Sequence, residues 1–530
     1  MRFTATVVHR RLRNGPWRNF TSTWACAVAA LVLAATSHAT QGRIARADDA
    51  PPLVHYRIST HVAAAQREFD RGLGLMYAFD PEEALGHFQA AERLDPTLAM
   101  AFWGIALGAG PNVNVPYDLV RARVGRAACA QAALLGRSAT PEERDLIAAL
   151  TVRYAVRSEA DVGAAQAAYA RAMDALATRY RSDVNVAALA AESYMDLTPL
   201  HMWRHDGSPE RYTLRAIALL DGALARDPGH VGANHFLIHA YEHAPHPERA
   251  LAAARRLAAL ALAPEDEHLA HMPEHIFLRL GMDAEAAAAG ERATRLFRAL
   301  LRNDHAREHD GYFHHDLQVL GFAYAMAGRW TDARAIATEV AAQVDDNEAA
   351  VETYARFGHY RELLALAAPA RPGVRWHFAR GLAANATGDR ASAARESAAL
   401  HGATGTDARL TIARDVLDAS IANHTGQRDR AIALLRDAVA AQDSLDLAEP
   451  PRWYAPVREA LGARLYEARR YTDARHVFED DLRRNPQNGR SLFGLATTLD
   501  ALHDRAAAAV RARFRSAWRA ADTTLAMRSL

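Results

Sequence analysis

Residues 72–96 read GLGLMYAFDPEEALGHFQAAERLDP, and the spacing in this stretch recurs along the chain. A Gly precedes an Ala by twelve residues, a bulky residue follows four positions later, and Pro closes the stretch. The matching residues here are Gly72, Ala84, Phe88 and Pro96. In LGARLYEARRYTDARHVFEDDLRRNP, residues 461–486, they are Gly462, Ala474, Phe478 and Pro486. Small residues at this spacing let two neighbouring helices touch, so the sequence predicts repeated helical hairpins.

The pattern resembles the tetratricopeptide repeat (TPR), a helix–turn–helix unit of about 34 residues. The segment LGFAYAMAGRWTDARAI, residues 320–336, is a further copy with Gly321 and Ala333, and the resemblance covers most of residues 65–520. It implies an all-α fold, a TPR-like helical solenoid wound as a right-handed superhelix, in which the first helix of each repeat lines a concave groove. We find no Val- and Ile-rich alternating runs after residue 65, which also favours a fold without a sheet.

The N-terminus differs in composition from the rest of the chain. Four Arg between positions 10 and 18 precede an uncharged run, WACAVAALVLAA, that is too short to span a bilayer comfortably. We therefore expect residues 1–47 to be an export signal and the mature protein to be periplasmic or secreted; a retained membrane anchor is the alternative. The Pro-containing stretch at 363–375 divides an N-terminal array with a His-rich groove, 48–365, from a C-terminal array, 366–530.

Charge and cysteine content exclude several classes of protein. The formal net charge is +1, and loss of the seven Arg of residues 1–47 leaves −6. Since no dense Arg run lies outside the signal, we expect no nucleic-acid partner. Cys26 leaves with the signal and Cys129 remains alone, so the mature chain can form neither an internal disulfide nor a thiolate zinc site. No nucleophile triad, phosphate loop or dinucleotide fingerprint stands out.

Histidines concentrate in one region, because twelve of the 25 His lie within residues 230–315. In HFLIHAYEH, residues 235–243, the side chains of His235, His239 and Glu242 are spaced by four and three, so on a helix they share one face. When the hairpins are aligned, all three take positions that line the groove in TPR proteins. We expect side chains at such positions to remain largely exposed.

Two further helices contribute to the same groove in this alignment. The second motif is HLAHMPEH, residues 268–275. In the next repeat, His271 and His275 take the same groove positions as His235 and His239, 36 residues later, and His268 lies one turn before them. Glu192, in VNVAALAAESYMDL, takes a groove position on the other side. Pro273 either starts its helix or kinks it. The sequence thus predicts that imidazoles and carboxylates converge on one concavity.

This combination of side chains indicates metal or acid–base chemistry. Imidazoles at i and i+4 can bind one ion through their ring nitrogens, and neutral imidazoles with a carboxylate but no thiolate suit Cu, Fe, Zn or Mn. The predicted metal ligands are His235, His239, His271, His275 and Glu242. The predicted catalytic residues are His239, Glu242 and Glu192. The alternative is a solvated face whose histidines bind nothing.

The His motifs also resemble those of a known family. HFLIHAYE, HLAHMPEHIF and the C-terminal PVREALGARL and FEDDLRRNPQNGRSLFGLA are similar to a bacterial family of exported TPR proteins with histidine signatures. The resemblance spans nearly the whole mature chain and implies that the five predicted metal ligands belong to that signature. A third signature, His-Asn-x-His, is expected near 314–317. Here His314 matches, whereas His315 and Leu317 replace the Asn and the second His.

Two functions remain open from the sequence. The first is an enzyme, an oxidoreductase acting on a small molecule, since TPR proteins of this general shape occur in natural-product gene clusters. Its site would either hold a divalent transition metal ion or work by acid–base chemistry alone. The second is a non-catalytic exported TPR scaffold whose groove captures a peptide or protein partner, because a fold does not by itself imply a function.

Overall fold

The structure, a computed structural model, describes residues 52–302, 311–344 and 347–530. This part of the chain consists of α-helices with a few 3-10 turns and no β-strand. Two isolated β-bridges join Asn112 to Val115 and Trp203 to Pro209. The predicted export signal, residues 1–47, lies outside the described residues. None of the described helices is both long and apolar enough to cross a bilayer.

Helices follow one another along the described chain, joined by turns and short loops. The first are α1 (Ala63–Tyr77), α2 (Pro81–Leu94), α3 (Ala99–Gly108), α4 (Leu119–Leu135), α5 (Pro141–Arg153), α6 (Glu159–Arg179), α7 (Val184–Met195), α8 (Thr213–Arg226), α9 (Val231–Tyr241), α10 (Leu251–Ala258), α11 (Glu267–His271) and α12 (Pro273–Arg279). They are followed by α13 (Asp283–Leu301), α14 (Gly311–Met326), α15 (Trp330–Val344), α16 (Val351–Arg356), α17 (Tyr360–Ala365), α18 (Val374–Thr387), α19 (Arg390–Gly402), α20 (Ala408–His424), α21 (Arg428–Asp443), α22 (Val457–Glu467), α23 (Tyr471–Arg484), α24 (Gly489–Ala501) and α25 (Ala507–Ala517).

Acidic and hydroxyl side chains fix where many of these helices begin. Asp80 accepts a hydrogen bond from the backbone N–H of Glu83, and Pro81 takes the first helical position of α2, where its missing N–H costs nothing. At the start of α5, Thr140 and Glu143 form a reciprocal capping box. Asp side chains cap α4, α7, α19 and α20 in the same way. Each cap satisfies backbone N–H groups that the helix itself leaves without acceptors.

The recurring Gly and Phe residues explain how the helices pack as hairpins. Phe88 on α2 is fully buried, and Gly72 on α1 and Gly104 on α3 both face its ring. A β-carbon on Gly72 would lie 2.8 Å from Cε1 of Phe88, which is closer than carbon atoms pack. The same arrangement recurs in α22, α23 and α24, with Gly462, Phe478 and Gly494. The predicted fold class, an all-α TPR-like solenoid, is confirmed; the hand of its superhelix stays a prediction.

The contact between Gly104 and Phe88 leads to a testable expectation. We expect Gly104→Ala to lower the free energy of unfolding by about 1–3 kcal/mol, because the added methyl group must displace the Phe88 ring between two helices. Gly74→Ala is the matched control, since nothing lies within 4 Å of a β-carbon added there. Ala should stabilise α1 at that position by up to about 1 kcal/mol. Denaturation followed by circular dichroism measures both, and equal effects would contradict the packing described.

The described part of the chain forms two compact units. The first is Met1–Ile276 with Arg292–Phe313, and the second is Phe277–Glu291 with His314–Leu530. Within the second unit, one core cluster contains Tyr354 and Leu363 together with Trp376, so it takes residues from both sides of position 365. The predicted division of the repeats at residue 365 stays a prediction.

Candidate metal centre

Helix α9 carries the first His motif and is buried along its whole length. His230 caps the helix: its Nδ1 accepts from the backbone N–H of Ala233, and its Nε2 lies 3.0 Å from Oδ1 of Asn185, to which it donates. His235 and His239 follow one turn apart, and their ring centroids are 4.8 Å apart. The two imidazoles therefore share a face of the helix, as their spacing predicted.

The expected exposure of this face is wrong. His235 is completely buried, His239 is 7% exposed and Glu242 is 3% exposed. The cover comes from the turn that follows α1, where Phe79 adopts a positive φ of 58°. The centroid of its ring lies 4.6 Å from that of His235 and 5.4 Å from that of His239. This contact brings together segments far apart in sequence, so helical spacing gives no sign of it.

Hydrogen bonds fix the orientation and tautomer of both imidazoles. Nδ1 of His235 donates to the carbonyl oxygen of Tyr77 at 2.6 Å, across 158 residues of sequence. Nδ1 of His239 lies 3.2 Å from Oε1 of Glu242 and donates to it. Because Nδ1 carries the proton in each ring, Nε2 bears the free lone pair. Both Nε2 atoms are buried, and neither has a hydrogen-bond partner within the described chain.

His268 on α11 completes the group. Its ring centroid lies 5.0 Å from that of His235 and 6.1 Å from that of His239. One ring nitrogen from each of the three residues lies within 4.8 Å of the others, and all three residues are buried. We call His235, His239 and His268 the three-His group. The sequence placed His268 in the groove but not among the ligands, although its position one turn before His271 was a usable signal.

His271 and His275 form a separate pair. Pro273 starts α12 and so lies between them, which settles the choice left open by the sequence. Nδ1 of His271 is 3.1 Å from Oε2 of Glu274, three residues on. The Nε2 atoms of His271 and His275 are 2.9 Å apart. The structure thus groups the predicted ligands His235 and His239 with His268. The other predicted pair, His271 and His275, begins one helical turn after His268.

Electrostatics favour a bare lone pair on the ring of His235. Burial, and then the proximity of His239, hold the pKa of His235 well below its ordinary value, so its imidazole is neutral. Burial alone would raise the pKa of Glu242, but the charge interaction and hydrogen bond with His239 bring it well below the ordinary value. Glu242 is therefore ionised and can accept the Nδ1 proton of His239.

Glu192, a predicted catalytic residue, is buried near other charged groups. It is 5% exposed on α7, and burial followed by the neighbouring charge of Asp196 raises its pKa well above the ordinary value. Arg153 opposes that shift, and it binds Asp196 directly at 2.5 Å. The electrostatic neighbours of Glu192 thus include a buried Arg–Asp pair, and the three-His group does not contain Glu192.

The donor set of the three-His group fits a transition-metal ion. Histidines that bind metals generally donate Nδ1–H to a carbonyl or carboxylate oxygen and bind through Nε2, which is the arrangement of His235 and His239. Three imidazole ligands leave a further coordination position for water or a substrate. Cys129 on α4 is outside the group, and burial raises the pKa of its thiol to about 12. Imidazole ligands without a thiolate suit Cu, Fe, Zn or Mn.

Comparisons with known proteins add little to this description. No protein-family model matches the chain. No curated protein matches it either.

Solved structures show weak likenesses. The human IFIT1 dimer with m7Gppp-AAAA is 12% identical, with 87% of this chain and 90% of that chain covered and a TM-score of 0.32. The APC/C hetero-tetramer Cut9-Hcn1 is also 12% identical, with 88% and 90% covered and a TM-score of 0.30. Since these TM-scores are low, the fold rests on the helical hairpins of this chain itself.

Proposed function

We propose that the protein is a metal-dependent enzyme whose metal ion is bound by His235, His239 and His268. The observation that carries the proposal is the pair of buried Nε2 atoms on His235 and His239, which have no hydrogen-bond partner among the described residues. Leaving a buried polar atom without a partner costs about 1–3 kcal/mol. A metal ion bound to these nitrogens removes that cost, and the Nδ1 hydrogen bonds hold both rings in the required orientation.

The chemistry we propose is oxidoreduction of a small molecule. A Cu, Fe or Mn ion at this site supplies the redox change, whereas Zn restricts the site to polarising or hydrolytic chemistry. Glu242 keeps the His239 ring oriented through Nδ1 and makes it a better ligand. In a metal-free version of the proposal, His239 is the proton acceptor and Glu242 stabilises its charged form. We further propose that the site operates in the periplasm or outside the cell, in line with the export signal expected at residues 1–47.

A second candidate is a scaffold that binds a peptide or small molecule without chemistry. The observation in its favour is a cavity of about 630 Å³ within the second compact unit. Charged and aromatic side chains line it, among them Glu348, Glu352, Arg375, Arg409, Trp453 and Tyr454. Pockets of this volume with a few polar groups are typical of sites for small ligands.

Metal titration of the Glu242→Gln variant tests the proposed enzyme. Full-length protein freed of metal with a chelator is titrated with Zn²⁺ and with Cu²⁺ by calorimetry. We expect Glu242→Gln to weaken binding by about 10–100-fold, because the amide no longer attracts the Nδ1 proton of His239 as the carboxylate does.

Glu248→Gln is the control for this titration, since it removes the carboxylate of a His–Glu pair that is exposed, with Glu248 57% and His246 70% accessible. Equal affinities for the wild type, Glu242→Gln and Glu248→Gln would contradict a metal site beside Glu242. If the wild type binds neither metal ion, the metal-free acid–base enzyme and the binding scaffold are the functions that remain.

A further inference from the structure

The pair formed by His271 and His275 has no role in the three-His group. His271 is fully buried and His275 is 5% exposed. Their rings meet at a centroid distance of 4.5 Å and an angle of 84°, with the two Nε2 atoms 2.9 Å apart. Burying two imidazoles whose Nε2 atoms point at each other costs free energy unless the two nitrogens share a proton or a metal ion.

The hydrogen bonding of this pair repeats that of the first motif. In both motifs a His donates Nδ1–H to the Glu three residues later: His239 to Glu242, and His271 to Glu274. Glu274 is fully buried, so its carboxylate accepts this hydrogen bond in the protein interior. The bond directs Nε2 of His271 toward His275 just as the Glu242 bond directs Nε2 of His239 toward the three-His group.

The two sets of imidazoles are next to each other. His268 and His271 lie on successive turns of α11, and their ring centroids are 6.0 Å apart. His268 in turn lies 5.0 Å from His235. Five buried imidazoles therefore form one continuous series within the first compact unit, with a carboxylate at each of two positions along it.

We propose that His271 and His275 bind a second divalent transition metal ion beside the one held by the three-His group. Nitrogen ligands lie about 2.0–2.1 Å from such an ion, so two of them on neighbouring coordination positions are about 3 Å apart. The separation of the two Nε2 atoms, 2.9 Å, matches that arrangement. The inference rests on the proposed function, since it makes the centre dinuclear, an arrangement in which two ions hold both reacting groups of a substrate.

Metal stoichiometry tests the inference. Full-length wild type, the double variant His271→Gln/His275→Gln and the double variant His235→Gln/His239→Gln are freed of metal, loaded with Zn²⁺ or Cu²⁺ and desalted. Bound metal per chain is then measured by mass spectrometry, and circular dichroism establishes that each variant is folded. We expect two ions in the wild type and one in each double variant.

Other outcomes separate the inference from the function on which it rests. One ion in the wild type that is kept by His271→Gln/His275→Gln overturns the second site and leaves the first. If the wild type binds one ion and each double variant loses it, both sets of histidines share a single ion. That result also overturns the second site. No ion in the wild type overturns the second site and the metal-dependent form of the proposed function.

If the double variant at 271 and 275 does not fold, Glu274→Gln replaces it. We then expect the affinity for only one of the two ions to fall by about 10–100-fold, because the His271 ring loses its carboxylate partner. Unchanged affinity for both ions would overturn the second site.

Discussion

The His239→Gln variant is expected to lose the metal ion of the three-His group. Removing a residue that only hydrogen-bonds to a metal ligand lowers metal affinity about 10–100-fold, and we expect a larger reduction here. The reason is that the substitution removes a ligand itself, whereas Glu242 acts only through His239. Gln preserves a polar side chain where Phe79 and His268 pack against the ring, so the loss is not a consequence of an empty core.

Calorimetric titration and thermal unfolding with and without added metal measure this effect. Metal should raise the unfolding temperature of the wild type by more than that of His239→Gln, because each ion that binds the native state stabilises it and the variant has lost the first of the two sites. His246→Gln, which changes a 70% exposed His soon after the same helix, should behave as the wild type does. A folded His239→Gln variant with wild-type affinity would show that His239 is a packing residue.

Arg153→Met is expected to cost about 3–5 kcal/mol of stability, because it leaves a carboxylate buried without its counter-ion. Arg153 is 1% exposed and binds Asp196 at 2.5 Å, the carbonyl oxygen of Pro111 at 3.0 Å and Gln166 at 3.1 Å. Its guanidinium also lies 4.6 Å from the centroid of the Tyr169 ring. Met fills much of the same volume but satisfies none of these acceptors.

The cost should depend on pH in a defined direction. Burial already raises the pKa of Asp196 to about 6 although Arg153 opposes it, so without Arg153 the pKa rises further. A carboxyl whose pKa is higher in the folded than in the unfolded state contributes stability below the unfolded value, and this contribution is lost as pH rises through the folded value. Arg153→Met should therefore be less stable relative to the wild type at pH 8 than at pH 5.

Double substitution separates the charge effect from lost packing. Adding Asp196→Asn to Arg153→Met removes the unpaired charge, so it should recover part of the stability and flatten the dependence on pH. Chemical denaturation at the two pH values measures both quantities. A pH-independent loss with no recovery in the double variant would mean that packing, and not the buried ion pair, holds this region together.

Local pattern was enough to predict the helical hairpins. The spacing of Gly72 and Phe88 is the one expected of two closely packed helices. In the structure, Gly72 lies against the ring of Phe88. The same reasoning put His235 and His239 on one helical face, since that depends only on 3.6 residues per turn. Both predictions concern residues within a single hairpin or helix.

The error in the site prediction, the exposure of the His face, arose from contacts between distant segments. Exposure of the His face was predicted from its position in the repeat, whereas Phe79 and the Tyr77 carbonyl, in the turn after α1, cover it. The catalytic role of Glu192 stays a prediction, and the charges of Arg153 and Asp196 that shift its pKa did not follow from phase. Neither a covering ring nor a buried counter-ion follows from periodicity, because both depend on how separate hairpins stack.

Metal content of the native protein is the most direct test of the three-His site. The full chain is produced without a histidine tag, purified without chelators, and its Cu, Fe, Zn and Mn are measured together by mass spectrometry. We predict at least one equivalent of one of these metals per chain, and one equivalent fewer in the folded variant His235→Gln/His239→Gln. Folded native protein that contains no such metal, and binds none when Cu²⁺, Fe²⁺, Zn²⁺ and Mn²⁺ are supplied, would contradict a metal centre at His235, His239 and His268.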